Sequence, residues 1–167
     1  DARFAVVVST KVSKRATKEN WKKIGNHSDL LGRDASSNGY DIDGDNISDL
    51  VVSSMQCSDN ETGAWGCVKI FSGSTLINPN AEPAWTLSGQ TIGTRFLGMN
   101  VESIGDVNGD GYGDILIIGA RANNGSDPST WNNNTSVAFI THLYYGGPSF
   151  NLTPAWEHTL LTALSGD

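Results

Sequence analysis

The chain has 167 residues, 38% of them hydrophobic and 19 of them glycine, with a formal charge of -7. That length fills one ordinary domain around a lean core. The acidic balance and the lack of a nucleic-acid motif exclude a nucleic-acid binder, and no apolar stretch approaches the roughly 20 residues that cross a bilayer as a helix. Glycine, with many Asn, Ser and Thr, favours a turn-rich β protein.

The first apolar segment, FAVVVS from Phe4 to Ser9, reads as a strand. Around it lies a cationic region, with Arg3, Lys11, Lys14, Arg15, Lys18, Lys22 and Lys23 contributing seven of the eleven basic residues. This end is either a solvated face or a docking patch for an acidic neighbour. Lys11 to Lys23 has a helix-like composition, but the spacing of the landmarks around it assigns it to a connection between strands. Leu31-Gly32 follows, then an acidic loop, DIDGDNISD from Asp41 to Asp49, and the strand-like LVVSS from Leu50 to Ser54. Cys57 and Cys67, the only cysteines, bracket CSDNETGAWGC between apolar segments, where a hairpin could bring them together, and a disulfide is expected rather than two reduced thiols. VKIFSG (Val68 to Gly73) and Pro83-Ala84-Trp85 complete the unit.

The same landmarks then return: Leu97-Gly98, the loop DVNGDGYGD from Asp106 to Asp114, ILIIGA (Ile115 to Ala120), AFITHLYYGG (Ala138 to Gly147) and Pro154-Ala155-Trp156. Part of a third copy stands at the N-terminus, since Phe4 precedes Trp21 by 17 positions, as Val68 precedes Trp85. The expected architecture is all-β, with short strands joined by turns and no convincing helix.

In both loops oxygen-bearing side chains fall at positions 1, 3, 5 and 9 and glycine at position 4, so the chain must curl and aim several oxygens inward. A hard cation rewards that arrangement. Without one, closely spaced carboxylates repel, the more so as solvent is excluded. Seven of the eighteen acidic residues lie in these loops, and two divalent cations would reduce the net charge to about -3. An EF-hand would need a bidentate glutamate at position 12 and a following helix. Here position 12 is Val52 or Ile117, within an apolar strand-like run. Position 6 is Gly111 in the second loop and Asn46 in the first, where asparagine enters left-handed conformations more readily than most residues. The first loop offers four carboxylates, the second three and an amide, so the first is expected to bind calcium at least as tightly.

A structural role suits two such loops better than an acid-base pair, because the same spacing occurs twice. His27, His142 and His158 belong to no nucleophile motif and are expected at the surface or in hairpins. No phosphate-cradling glycine motif, CxxC pair or HExxH pattern is present. Trp21, Trp85 and Trp156 recur at one place in the unit and are expected to pack between strands, whereas Trp65 and Trp131 sit in loops where a partner or glycan could meet them. Gly146-Gly147 reads as a turn. Seven N-x-S/T sequons, at Asn26, Asn46, Asn60, Asn124, Asn133, Asn134 and Asn151, together with the cysteine pair, favour a secretory route. Asn46, inside an acidic loop, is the least suited acceptor. A chain beginning at Asp1 looks processed, so the lack of a signal peptide carries little weight.

The run GDVNGDGYGDILIIGA from Gly105 to Ala120, preceded by Leu97-Gly98, resembles the FG-GAP repeat of integrin-like β-propellers. YDIDGDNISDLVVSS from Tyr40 to Ser54, preceded by Leu31-Gly32, resembles it less closely. The resemblance implies four-stranded antiparallel blades, each holding calcium in the hairpin loop between its first two strands. It implies two complete blades and a partial one in a single repeat-built domain spanning 1–167, divided as 3–24, 25–90 and 91–162. The implied side-chain ligands are Asp41, Asp43, Asp45 and Asp49 for one ion and Asp106, Asn108, Asp110 and Asp114 for the other, with the backbone carbonyls of Ile47 and Tyr112 completing the shells.

A closed propeller needs about four to eight blades. The chain is therefore expected to be part of a larger propeller or to assemble with further copies of itself or another protein, since open blade edges otherwise invite aggregation. The expected function is that of an extracellular, calcium-stabilised and glycosylated module in adhesion or in an extracellular assembly or filament. The alternative is an accessory repeat region of a secreted carbohydrate-active or phosphodiester-cleaving enzyme.

Overall fold

The computed structural model describes residues 5–11, 17–24, 31–37, 39–55, 57, 65–76, 78, 80–122 and 137–160, with side chains from residue 31 onward except at 122 and 137. In chain order the strands are β1 (Ala5–Lys11), β2 (Thr17–Ile24), β3 (Leu31–Ser36), β4 (Leu50–Ser54), β5 (Cys67–Phe71) and β6 (Trp85–Ser88), then β7 (Arg95–Gly105), β8 (Asp114–Ala122), β9 (Val137–Tyr144) and β10 (Trp156–Leu160). A single helical turn, α1 (Gly89–Ile92), links β6 to β7. β1 and β2 form a two-stranded sheet, and two four-stranded antiparallel sheets follow in the orders β3-β4-β5-β6 and β7-β8-β9-β10. Neighbours in the chain are thus neighbours in each sheet.

The stretch from Lys11 to Lys23 departs from its expected place in a connection. Lys11 closes β1, and Thr17–Ile24 is strand, paired from Ala5 with Ile24 to Lys11 with Thr17 across a bulge at Val8 and Ser9. Pairing with an apolar strand satisfies its backbone, and that outweighs the weak strand propensity of a lysine-rich segment.

The two Leu-Gly landmarks mark bulges. The pairing of β3 with β4 shifts between Leu31 and Ala35, and that of β7 with β8 shifts between Arg95 and Asn100. Gly32 and Gly98 sit inside those shifts at φ 77° and 86°, a region that a residue with a Cβ enters only at a cost.

Most of the core lies between the two four-stranded sheets. Val51, Val68, Ile70 and Leu87 from one sheet meet Leu97, Val101, Ile115, Ile117 and Tyr144 from the other. A smaller cluster of Leu31, Leu50, Val52, Phe71 and Ala81 covers the opposite face of the first sheet. LVVSS is therefore buried throughout, which explains its unbroken apolar run: both faces of β4 are covered. The first strands of the two sheets, β3 and β7, are stitched by polar groups, for Asp34 Oδ2 accepts the Val101 N–H at 2.9 Å and Asn100 Nδ2 at 2.7 Å, and Ser36 Oγ accepts the Ser103 N–H at 2.9 Å.

Cys57 and Cys67 are joined as a disulfide. Beside it Trp65 is half-buried. Its carbonyl accepts the Leu97 N–H at 3.0 Å, and the Arg95 guanidinium lies 5.5 Å from its ring centroid. Trp65 is thus engaged within the chain. Trp85 packs against the main core and lies 5.5 Å from the Phe150 ring, as expected. Trp156 does not follow it. At 49% exposed it stacks on His158 across 5.4 Å, on a strand, β10, whose every residue is exposed. The side chain of Trp21 and all of Trp131 and His27 lie outside the described residues.

His158 is exposed, whereas His142, expected at the surface or in a hairpin, lies in the β9–β10 hairpin and is fully buried. The two-residue period of β9 puts it on the inward face with Ala138, Ile140 and Tyr144. Nε2 lies 3.1 Å from Thr94 Oγ1. Nδ1 faces Glu157 Oε2 at 3.3 Å without a hydrogen bond, and Glu157 is held by Arg121 at 3.0 Å. Desolvation lowers the His142 pKa, opposed by Glu157 and reinforced by Arg121. A histidine neutral in the fold but free to protonate when unfolded supplies stability above its ordinary 6.5, lost as pH falls toward the folded pKa. Urea midpoints compared between pH 7.5 and 5.5 should therefore fall more steeply for the parent than for His142→Gln, and equal slopes would refute this assignment.

Candidate metal centre

Each acidic loop joins the first strand of a four-stranded sheet to the second, Asp41 to Asp49 between β3 and β4 and Asp106 to Asp114 between β7 and β8. The loops share one internal scaffold. Asp41 Oδ1 accepts the N–H of Gly44 at 2.6 Å and of Asp45 at 3.2 Å, while Oδ2 accepts that of Asn46 at 2.7 Å. Asp106 does the same for Gly109, Asp110 and Gly111 at 2.6, 3.0 and 2.7 Å. Position 3 accepts the N–H of position 5 at 3.0 Å in both loops, and position 5 accepts that of position 7, Ile47 at 2.8 Å and Tyr112 at 3.0 Å. At position 6 Asn46 and Gly111 both take positive φ, 64° and 94°, so asparagine serves where glycine stands in the other copy.

Position 9 ties each loop to its sheet. Asp49, 1% exposed, accepts the N–H groups of Ile42 at 2.6 Å and Asp43 at 3.2 Å on Oδ2, and of Gly73 at 2.8 Å on Oδ1. Asp114, fully buried, accepts those of Val107 at 2.8 Å and Gly146 at 2.9 Å. Gly146 thus serves a carboxylate, and the turn itself falls on the next residues, Pro148 and Ser149. Gly73 and Gly146 follow β5 and β9 at matching places, two residues beyond each strand, a recurrence visible in the sequence.

The electrostatics differ by position. Burial pushes the Asp49 carboxyl up to about 6, against the pull of the Gly73 and Ile42 N–H groups, and the neighbouring Asp43 charge adds to the rise. Partial desolvation acts to raise Asp45, but hydroxyl bonds from Ser74 and Ser72 and the N–H groups of Ile47 and Ser74 outweigh it and lower its pKa. The Gly111 N–H, helped by those of Gly109, Asp110 and Asn108, holds Asp106 below the usual range despite some desolvation.

Asp41, Asp43 and Asp49 each offer an oxygen within 4.8 Å of the others. Three hard, anionic oxygens converging beside ordered backbone fit a divalent cation of the calcium type. Asp45 stands apart from that trio, its Oδ2 bonded to Ser72 Oγ at 2.8 Å. Ser72 is a member of the site that the nine-residue motif does not contain. In the second loop Asp110 Oδ2 accepts Asn108 Nδ2 at 2.9 Å. Ile47 is 48% exposed and Tyr112 half-buried.

Of the sequon asparagines, Asn46 and Asn151 are exposed, Asn151 Oδ1 accepting the Thr153 N–H at 2.9 Å. Asn26, Asn60, Asn124, Asn133 and Asn134 lie outside the described residues. Among the described residues no helix is long and apolar enough to cross a membrane.

Residues 101–137 match the family model of the FG-GAP repeat, a stretch that contains the second acidic loop and β8. The resemblance read from the sequence is borne out there, and the two four-stranded antiparallel sheets are of the kind that form propeller blades. No curated protein matches the chain.

Proposed function

We propose that the chain is an extracellular, calcium-binding β-propeller-type module that works through its surfaces, in adhesion or as a structural subunit of an extracellular assembly or filament. The observation that carries this reading is the duplicated loop scaffold, with three carboxylates converging within 4.8 Å in the first copy, at the matching place of two successive sheets. Asp41, Asp43, Asp45 and Asp49 would hold one ion and Asp106, Asn108, Asp110 and Asp114 the other, with the Ile47 and Tyr112 carbonyls completing each shell. Calcium there neutralises charge and fixes the strand connection, so its free energy of binding becomes folding stability. The disulfide and the sequons support an oxidising, extracellular setting. A surface-acting role is supported by Phe139, Trp156 and Leu160, each at least 40% exposed, with Phe139 paired to Leu160 and Trp156 further along β10.

Calorimetric titration with calcium is the test. Two ions should bind per chain, and Asp45→Ala should remove a site at least as tight as the one removed by Asp110→Ala. A chain that takes up no calcium would defeat the proposal.

A further inference from the structure

The two acidic loops touch through their backbones. The Gly113 N–H donates to the Asp41 carbonyl at 2.6 Å, and the Gly147 N–H donates to the Ile42 carbonyl at 2.7 Å. The first bond joins the two loops directly, and the second joins the first loop to the segment that follows β9. Gly113 N–H belongs to the same peptide unit as the Tyr112 carbonyl, position 7 of the second loop, and its acceptor is position 1 of the first. Gly147 adjoins Gly146, whose own N–H holds Asp114 Oδ1 at 2.9 Å, while Ile42 donates its N–H to Asp49 Oδ2 at 2.6 Å. Three hydrogen bonds, linked through the backbone of Gly146 and of Ile42, therefore connect the buried carboxylate of one loop to that of the other.

Side chains close the remaining space. The Tyr112 ring lies where a Cβ on Gly44 would stand, and the Tyr40 ring comes within 3.1 Å of where a Cβ on Gly105 would stand. A Cβ on Gly146 would run into the Gly113 carbonyl. The close approach thus uses glycine at Gly44 and Gly146, where a Cβ would collide, and at Gly105, where it would be tight.

We propose that the two loops are coupled sites, so that a divalent cation held by one raises the affinity of the other; this rests on reading both as calcium sites. Ordering one loop fixes acceptors and donors that the other must also order, and the second ion then meets less conformational cost. A cation drawing on the Tyr112 carbonyl also strengthens the N–H of the same peptide toward Asp41. Charge acts in the opposite direction, because neutralising one loop weakens the field at the other, and salt reduces that term. Bonded contact is not screened in this way.

Coupling of this kind is typically about 5–150-fold and is reciprocal by linkage. The experiment is calorimetric titration with calcium at physiological salt on the parent, Asp110→Ala, Asp45→Ala and Tyr40→Ala chains, with circular dichroism to establish that each is folded. The ion left in Asp110→Ala should bind at least about 5-fold more weakly than the same site does in the parent, and Asp45→Ala should weaken the second site by the same factor. Tyr40→Ala removes only the ring against Gly105; it should still take two ions, with a smaller interdependence. If each loop keeps its parental affinity when the other is disabled, or binds more tightly, the coupling is refuted while the calcium reading stands. A folded parent that binds no calcium overturns both.

Discussion

Removing calcium is expected to lower the unfolding free energy by about 5 kcal/mol when both loops have been held at a hundredfold excess over their dissociation constants, about 2.7 kcal/mol for each. For a chain of this size that is a fall in melting temperature of roughly 10–20 °C. The size of the effect follows from where the loops lie. They connect the first two strands of each large sheet, and their position-9 carboxylates are buried against the ends of the strands. Without a cation, Asp49 must remain charged beside Asp43 at neutral pH although burial favours its protonated form. Scanning calorimetry at pH 7.4, with millimolar calcium and again with excess chelator, gives the measurement. Melting temperatures that coincide would remove calcium from the account of stability.

Leu97→Ala is the second large effect, an expected loss of about 2–5 kcal/mol. Leu97 is fully buried and belongs to the cluster that joins the two four-stranded sheets, with its N–H on the Trp65 carbonyl. Truncation removes apolar contact and opens a cavity in the seam, and the backbone bonds around it resist collapse. Urea unfolding should show a lowered midpoint with an unchanged slope. Leu152→Ala, at a site 48% exposed, should change stability by no more than about 0.5 kcal/mol. Two separated transitions in the Leu97→Ala chain would mean that the sheets are independently stable units, and a loss below about 1 kcal/mol would mean that the seam contributes little.

The repeat made the strands legible because each landmark has a physical cause that recurs. Leu-Gly marks a bulge, the acidic loop ends in a buried aspartate, and the apolar run after it is buried wholly in β4 and on at least one face in β8, so local sequence alone locates β3, β4, β7 and β8. What the sequence hid depended on partners distant in the chain. His142 looks like any polar residue in AFITHLYYGG until β9 is placed against Thr94 and Glu157. Ser72 lies 27 positions from Asp45, and nothing in the nine-residue motif points to it. Trp156 shares its local context with Trp85 but not its burial: both lie on edge strands, but Trp85 is held against Phe150 whereas all of β10 is exposed. Repeats report what each unit does alone; they are silent on what stands beside it.

The meander order of the sheets also bears on how the chain reaches its fold. Strands that pair with their successors close short loops, at modest entropic cost, so each sheet can assemble largely from local encounters, which favours rapid folding among β proteins. The bonds at the acidic loops are different. They join residues from Asp41 and Ile42 to Gly113 and Gly147 and require both sheets to be present first. Order of assembly is therefore written into the connectivity, with sheets as early products and the junction of the loops as the closing step.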